Sequence, residues 1–461
     1  MELHKKTIKE IRKLIDTKEL SPEEVYSYYF NRIKKDNSKL NAFVTVNETP
    51  KIDTKLKNKP LYGIPFSMKD IFMTEGIRTT ASSNILKDYK ASYNATVYQK
   101  LIDNGALLIG KTNNDAWGHG STTENSAFGP SKNPHDPEYI AGGSTGGEAV
   151  ALASGMSAFG IGEDTGGSIR FPSSMCGTIG LKVTYGLVSR FGAISYASSL
   201  DTVGPMARNV EDIATVLQII AGNDPLDATS SNRVVPDYSI SDDFDLRGTR
   251  IGIPKEYFSE GIDNEVKKTI EYSIDKLRKE GVEFIEVSLP MTKYAIAVYY
   301  LIAVSETSSN LARYDGIRFG NDRSNFEEES KRRILLGTYT LSSGYYDAYY
   351  LKAAKVRTLI KEEFDTAFKN VDALIAPVSP TPPFKIGEKI DDPVKMYLSD
   401  ILTVSVNLAG IPALALPSGT TKSGLPIGMQ LIGKQFDEKT LINIGYKYEQ
   451  ELRTQNSDLR N

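Results

Sequence analysis

Two serine-bearing glycine turns, Gly142-Gly143-Ser144-Thr145-Gly146-Gly147 and Asp164-Thr165-Gly166-Gly167-Ser168, flank an apolar stretch from Ala149 to Ile161. Glycine lets the backbone take positive φ and approach a ligand closely, so a hydroxyl on each turn suits nucleophilic chemistry. Gly142-x-Ser144-x-Gly146 fits the nucleophile elbow, in which Asp or Glu and then His follow the serine in the chain. The histidines are His4, His119 and His135, all before Ser144, so a triad in that order cannot form. Triads are defined by geometry rather than chain order, which leaves His119 and His135 open. A base other than histidine is the better fit. Lysine serves when it is neutral, and burial away from carboxylates drives it toward that state. The candidate is Lys69, in Gly63-Ile64-Pro65-Phe66-Ser67-Met68-Lys69-Asp70.

Lys69, Ser144 and Ser168, set in GGSTGGE and DTGGSIRFP, resemble the amidase signature family, whose members use a Ser-cis-Ser-Lys triad. The resemblance runs from about residue 7 to about residue 450. It takes in GHGSTTENSAFGPSKNP, SRFGAISYASSLD, the tyrosine-rich segment 294–360, NLAGIPA and LPIGMQLIG, and is closest to the tRNA-dependent amidotransferase branch. It implies that Ser168 is the nucleophile and forms an acyl-enzyme. Ser144, at a cis peptide in that family, then relays the proton to Lys69. An adjacent base is what makes a serine hydroxyl nucleophilic. The N–H groups of Thr165, Gly166 and Gly167 are the implied oxyanion hole, each such donor being worth about 3 kcal/mol of barrier. Tyr299, Arg333 and Asp400 are the implied contacts for glutamine. An arginine fork suits an α-carboxylate and an aspartate an α-ammonium; without the resemblance each reads as a surface ion pair.

The same resemblance implies a fold and a working context. The fold is α/β, a mixed central β-sheet covered by helices on both faces, as one domain over 1–461 with the signature core at about 60–225. The function is that of a glutaminase supplying ammonia for conversion of Glu-tRNA(Gln) to Gln-tRNA(Gln). B and C subunits are the implied partners. Misacylated tRNA, ATP and Mg belong mainly to the B subunit, and no cofactor or metal belongs to this chain. The alternatives are a stand-alone amidase acting on a small carboxamide and a non-catalytic scaffold. Thr145 stands where the family usually carries a second serine, and Phe171 is a further departure.

Composition agrees with a globular enzyme and excludes other classes. With 55 Lys and Arg against 58 Asp and Glu the net charge is −3, without the basic surplus of a stand-alone nucleic-acid binder. The single Cys176 excludes an internal disulfide and points to a reducing compartment, with cytoplasm the default. No apolar run reaches the roughly 18 residues of a membrane span.

Periodicity supplies the scaffold. Ile8, Ile11, Leu14 and Ile15 predict a helix over 4–16, and Ser21-Pro22-Glu23-Glu24 caps a second one to about Lys34; this hairpin, about 4–36, packs on the core or carries a partner. Leu61 to Phe66 reads as a buried strand with Lys69 just past its end. Gly105 to Thr112 matches a Walker A pattern, but Ala, Leu, Leu and Ile at its variable positions suit a strand. Asp70 orients the site or caps the segment after it. Arg170 clamps a substrate carboxylate or holds the loop beside Ser168. Trp117 and His119 read as structural, and residues 327–333 alternatively as a solvated helix face. Helices are expected from Asn209 and over 263–280. Strands are expected at 250–254, 282–287, 373–376, 413–416 and 429–432, with 236–245 a possible linker and 450–461 a fraying tail.

Overall fold

Short apolar runs bounded by glycine and proline become strands, and the longer 3.6-period segments between them become helices, as their spacing dictates. The computed structural model describes all residues except 242, 259–260, 390–391 and 459–461. In chain order its strands are β1 (Phe43–Val46), β2 (Pro65–Lys69), β3 (Leu107–Thr112), β4 (Phe159–Glu163), β5 (Ile179–Lys182) and β6 (Val203–Ala207). They continue with β7 (Arg250–Pro254), β8 (Glu283–Val287), β9 (Ala373–Pro377), β10 (Ala413–Thr420) and β11 (Pro426–Gly433). Together they form one mixed sheet in the order β1-β3-β2-β4-β6-β5-β10-β11-β9-β7-β8.

Side chains alternate across a strand, and β10 shows how both faces are covered. Leu414 and Leu416 pack with Leu441 and Ile444 of the C-terminal helix, Glu438–Asp458, while Ala415 packs with Phe171 and Met175 of the helix Arg170–Cys176. The sequence departure at Phe171 is thus a core contact.

The site follows from strand direction. β2 lies between β3 and β4 and runs parallel to both. Parallel neighbours end at the same edge of a sheet, where open α/β sheets bind ligands. Lys69 ends β2 and Glu163 ends β4, so the two long side chains meet there. The Ser168 turn follows β4 directly, and Ser144 precedes the helix Gly146–Ala153 that leads back toward β4.

Several boundaries differ from expectation. Residues 61–64 form a turn, with Gly63 at φ +78°, and β2 starts at Pro65, so Lys69 is inside the strand rather than past it. The first helix begins at Ile8 because the Thr7 hydroxyl accepts the Glu10 N–H in a capping box; Leu3–Lys5 is a separate turn. The second runs on to Leu40, since nothing breaks it before Asn41 takes a left-handed conformation. Residues 236–241 lie against the body, with Tyr238 buried and its N–H donated to Gln218. Of the expected tail, residues 459–461 lie outside the described residues. The Walker-like segment is β3, as its apolar positions required, and Lys111 is buried beside Asp70 at 3.4 Å.

Candidate active site

Lys69, Ser144 and Ser168 come together at the sheet edge. Lys69 Nζ donates to Ser144 Oγ at 2.8 Å, both side chains fully buried. The Gly143–Ser144 peptide bond is cis. The two turns are tied by the Thr145 N–H, which donates to the Ser168 carbonyl at 3.2 Å. Thr145 has a second tie, donating its hydroxyl to the Glu163 carbonyl at 3.1 Å. Ser168 keeps 8 % of its surface, and its hydroxyl makes no hydrogen bond among the described residues.

One expectation is overturned at Lys69. Its amine is not held away from carboxylates, because Nζ lies 2.7 Å from Glu163 Oε2. Parallel pairing of β2 and β4 forces this neighbour on it. His119 and His135 lie elsewhere. His135 Nε2 contacts the Cys176 carbonyl at 3.1 Å, and His119 sits between Ser330, Thr307 and the Tyr196 ring. Burial, with Arg333 and Lys69 nearby, drives His119 well below the usual histidine range, so its ring is neutral.

The turn after β4 is wound around Asp164. Its carboxylate accepts N–H groups from Gly167 at 2.8 Å, Ile169 at 3.1 Å and Arg170 at 3.3 Å. Gly167 is therefore not a free oxyanion donor, contrary to expectation. The N–H groups of Thr165 and Gly166 make no hydrogen bond among the described residues. Arg170 is fully buried and bonds Asp164, Gln430, Asn407 and the Thr403 carbonyl, so it holds the loop rather than a substrate. Burial works against the Asp164 anion, but Arg170 brings its pKa down to about 2. Gly166 must be glycine for contact reasons: a Cβ there would lie 2.5 Å from the Tyr299 hydroxyl.

Beyond Tyr299 lies a box built by three helices, Ala295–Leu311, Glu328–Thr340 and Pro393–Leu398, and by the loops that carry Tyr196 and Asp400. Arg333, on the helix Glu328–Thr340, is 2 % exposed and sits 5.4–5.6 Å from the ring centres of Tyr196, Tyr300 and Tyr397. Such rings stabilise a guanidinium through their π faces. Its Nε donates to Glu329 Oε1 at 2.7 Å, and Nη1 to the Tyr196 hydroxyl. The solvated-face alternative for 327–333 fails here, because Glu329 and Arg333 point inward. Burial opposes the Glu329 anion, yet Arg333 holds its carboxyl below the ordinary range. Asp400 accepts the Ser121 hydroxyl at 2.9 and 3.0 Å and the Tyr300 hydroxyl at 3.2 Å. Burial pushes Asp400 up to about 6. Tyr300 thus touches both the buried cation and the buried acid, and the tripartite group of Tyr299, Arg333 and Asp400 is brought together.

Sequence reasoning missed Glu163, Asp201, Tyr196, Tyr300 and Tyr397. Glu329 had a signal, its i,i+4 spacing from Arg333. Trp117 is structural as read, packed on Tyr314 and Phe326. Asp70 accepts the Thr80 N–H at 2.9 Å and so orders the loop after Lys69.

Two glycine turns that set a pair of serines beside a lysine at the end of a parallel strand define an amidase. A profile of the Amidase family matches residues 24–442, and the chain belongs to that family, the amidase signature enzymes. It is 50 % identical over 473 residues to the A subunit of glutamyl-tRNA(Gln) amidotransferase from Persephonella marina, with 97 % of each chain covered. It is 51 % identical over 475 residues to the protein of the same name from Carboxydothermus hydrogenoformans, with 98 % of each covered. The crystal structure of the glutamyl-tRNA(Gln) amidotransferase A subunit from Thermotoga maritima superposes with a TM-score of 0.85 at 40 % identity, covering 96 % of this chain and 94 % of that one.

Proposed function

We propose that this chain is the glutamine-hydrolysing subunit of a glutamyl-tRNA(Gln) amidotransferase. The observation that carries this is the pairing of a buried cation with a buried acid across Tyr300, next to the Ser168 turn. A free amino acid brings an α-carboxylate and an α-ammonium, and this box answers both. A neutral small amide needs neither. Near-full-length identity of about half to proteins bearing that name supports the same reading.

In this reading Arg333 takes the α-carboxylate and Asp400 the α-ammonium, which aims the side-chain carboxamide past Tyr299 at Ser168. Ser168 Oγ attacks the amide carbon as its proton passes to Ser144 and on to Lys69. The oxyanion forms against the free N–H groups of Thr165 and Gly166, donors preorganised at the point where charge develops. Collapse expels ammonia, protonated through Ser144, and leaves the γ-glutamyl ester on Ser168. Water admitted along the same relay frees glutamate. The ammonia goes to a B subunit that activates Glu-tRNA(Gln) with ATP and Mg, with a C subunit completing a cytoplasmic complex; the free, buried Cys176 agrees with a reducing compartment.

Ammonia release from L-glutamine by the chain assembled with its partner subunits tests this. Release is expected to vanish with Ser168→Ala and to rise when aminoacyl-tRNA and ATP are supplied. Turnover of neutral amides that survives Arg333→Ala, with no release from glutamine, overturns it in favour of a stand-alone amidase.

A further inference from the structure

Lys69 has two partners at hydrogen-bond distance, and only one belongs to the triad. Nζ reaches Ser144 Oγ at 2.8 Å on one side and Glu163 Oε2 at 2.7 Å on the other, with Lys69 fully buried and Glu163 2 % exposed. A lysine that keeps three protons has no electron pair for Ser144. The carboxylate beside it would hold it in that state unless the proton can cross between them.

The far side of Glu163 carries the second observation. Its Oε1 meets the Thr165 hydroxyl, which also lies 2.8 Å from Asp201 Oδ1. Asp201 in turn accepts the N–H groups of Tyr196 at 3.0 Å and Ala197 at 2.9 Å. Thr165 owns one hydroxyl proton and faces two carboxyl groups. It donates to one of them, so the other contact needs a proton from the carboxyl itself. Burial and the neighbouring Glu163 push Asp201 well above the carboxylate range, which puts that proton on Asp201. Asp201 then donates to Thr165 and Thr165 to Glu163, so Glu163 takes that hydrogen bond on Oε1 and presents Oε2 to the amine. The other groups set around this row are Asp115 and His119 toward Lys69, and Arg190 toward Asp201.

We propose that Glu163 is the proton acceptor for Lys69, taking the amine proton onto Oε2 so that Nζ has a free electron pair when Ser168 is deprotonated through Ser144. The transfer is balanced within the pair: the N–H bond breaks, the O–H bond forms, and an ammonium and carboxylate become an amine and a carboxylic acid. The proton of Ser168 then moves to Ser144 as that of Ser144 passes to Nζ, and it leaves later with the ammonia. The Glu163 proton returns to Nζ when the site is idle. Glu163 acts through Lys69 and touches no reacting atom. This rests on the reading of Lys69 as the base of the relay.

The test is the pH profile of Ser168 labelling by an alkyl fluorophosphonate, which needs the activated hydroxyl but not the Arg333 box. In the wild-type full chain the lysine–glutamate pair shares one proton, so labelling is lost only when acid adds a second. With Glu163→Gln any proton on the amine blocks the relay. The acidic limb then moves to higher pH, and labelling at pH 6 falls by about 100-fold while recovering in alkali. If Glu163 is only a counter-ion, its removal makes the amine easier to deprotonate. An acidic limb that stays or moves down therefore overturns the proposal. Should that protein fail to fold, Glu163→Asp decides: a slower plateau with the limb in place supports the transfer, and an unchanged plateau overturns it. Lys69→Met separates the two levels. Its loss of labelling leaves the relay standing whatever Glu163 does, while wild-type labelling would remove the relay reading and this proposal with it.

Discussion

At the scale of single residues, the charge of Asp400 decides how glutamine is held. Its carboxyl stands at about 6 because burial penalises the anion more than Ser121 relieves it. Only the anion neutralises an α-ammonium, so capture weakens as pH falls through that value. The expected outcome is a kcat/KM for glutamine that drops about tenfold per unit below pH 6, carried by KM. In Asp400→Asn that dependence disappears and KM is high at every pH. Initial-rate kinetics of ammonia release from pH 5 to 8 check both.

Elements set where the reacting groups stand, and two substitutions test this. Gly166 allows the Tyr299 ring to lie against the Ser168 turn, and a Cβ there meets the Tyr299 hydroxyl and Cζ at 2.5 and 2.6 Å. Gly166→Ala is expected to keep the fold but to lower kcat/KM by about 100-fold, because a shift of an ångström at a positioned group costs that much. Circular dichroism and the same assay separate the two effects. The second is Arg170→Met, which leaves the buried Asp164 without its cation. Breaking a buried pair from one side costs about 3–5 kcal/mol, to be read from denaturant unfolding at neutral pH. The sign of its pH dependence follows from Asp164. Its folded pKa of about 2 is depressed below the ordinary 3.8, so the stabilisation is present above 3.8 and is lost as pH falls toward 2. Arg170→Met should remove that acid dependence.

At the scale of the whole molecule, buried acids in the core tie stability to pH. Glu148, on the helix that comes after Ser144, is fully buried and takes hydrogen bonds from Ser67 and, at 3.1 Å, from Thr112. Burial raises it from 4.5 to about 8. The folded protein thus keeps a proton that the unfolded chain has released, so its contribution is present below pH 4.5 and lost as pH rises through 8. Glu148→Gln keeps an acceptor and a donor for the two hydroxyls and removes the charge. Its Tm, relative to wild type, is expected to climb between pH 5 and pH 9, read by thermal melts across that range.

The sequence by itself marked Lys69, Ser144 and Ser168 as the candidate reacting groups and traced most of the sheet. Ser144 and Ser168 stand in glycine turns, Lys69 follows the run Gly63-Ile64-Pro65, and the strands from β7 to β11 are short segments rich in apolar residues. Both are local signals, written in a few consecutive residues. Local signals also placed Arg333, Tyr299 and Asp400 through family motifs, and read Gly105 to Thr112 as a strand. Only the tertiary structure decided what each group faces. Glu163 meets Lys69 because β2 and β4 are parallel neighbours, although 94 residues separate the two in the chain. Gly167 is spent on Asp164 because the turn closes around a carboxylate held by Arg170, whose own partners Gln430 and Asn407 come from the far end of the sequence. The charge and proton content of a buried group depend on such non-local neighbours, and strand pairing, not strand formation, selects them.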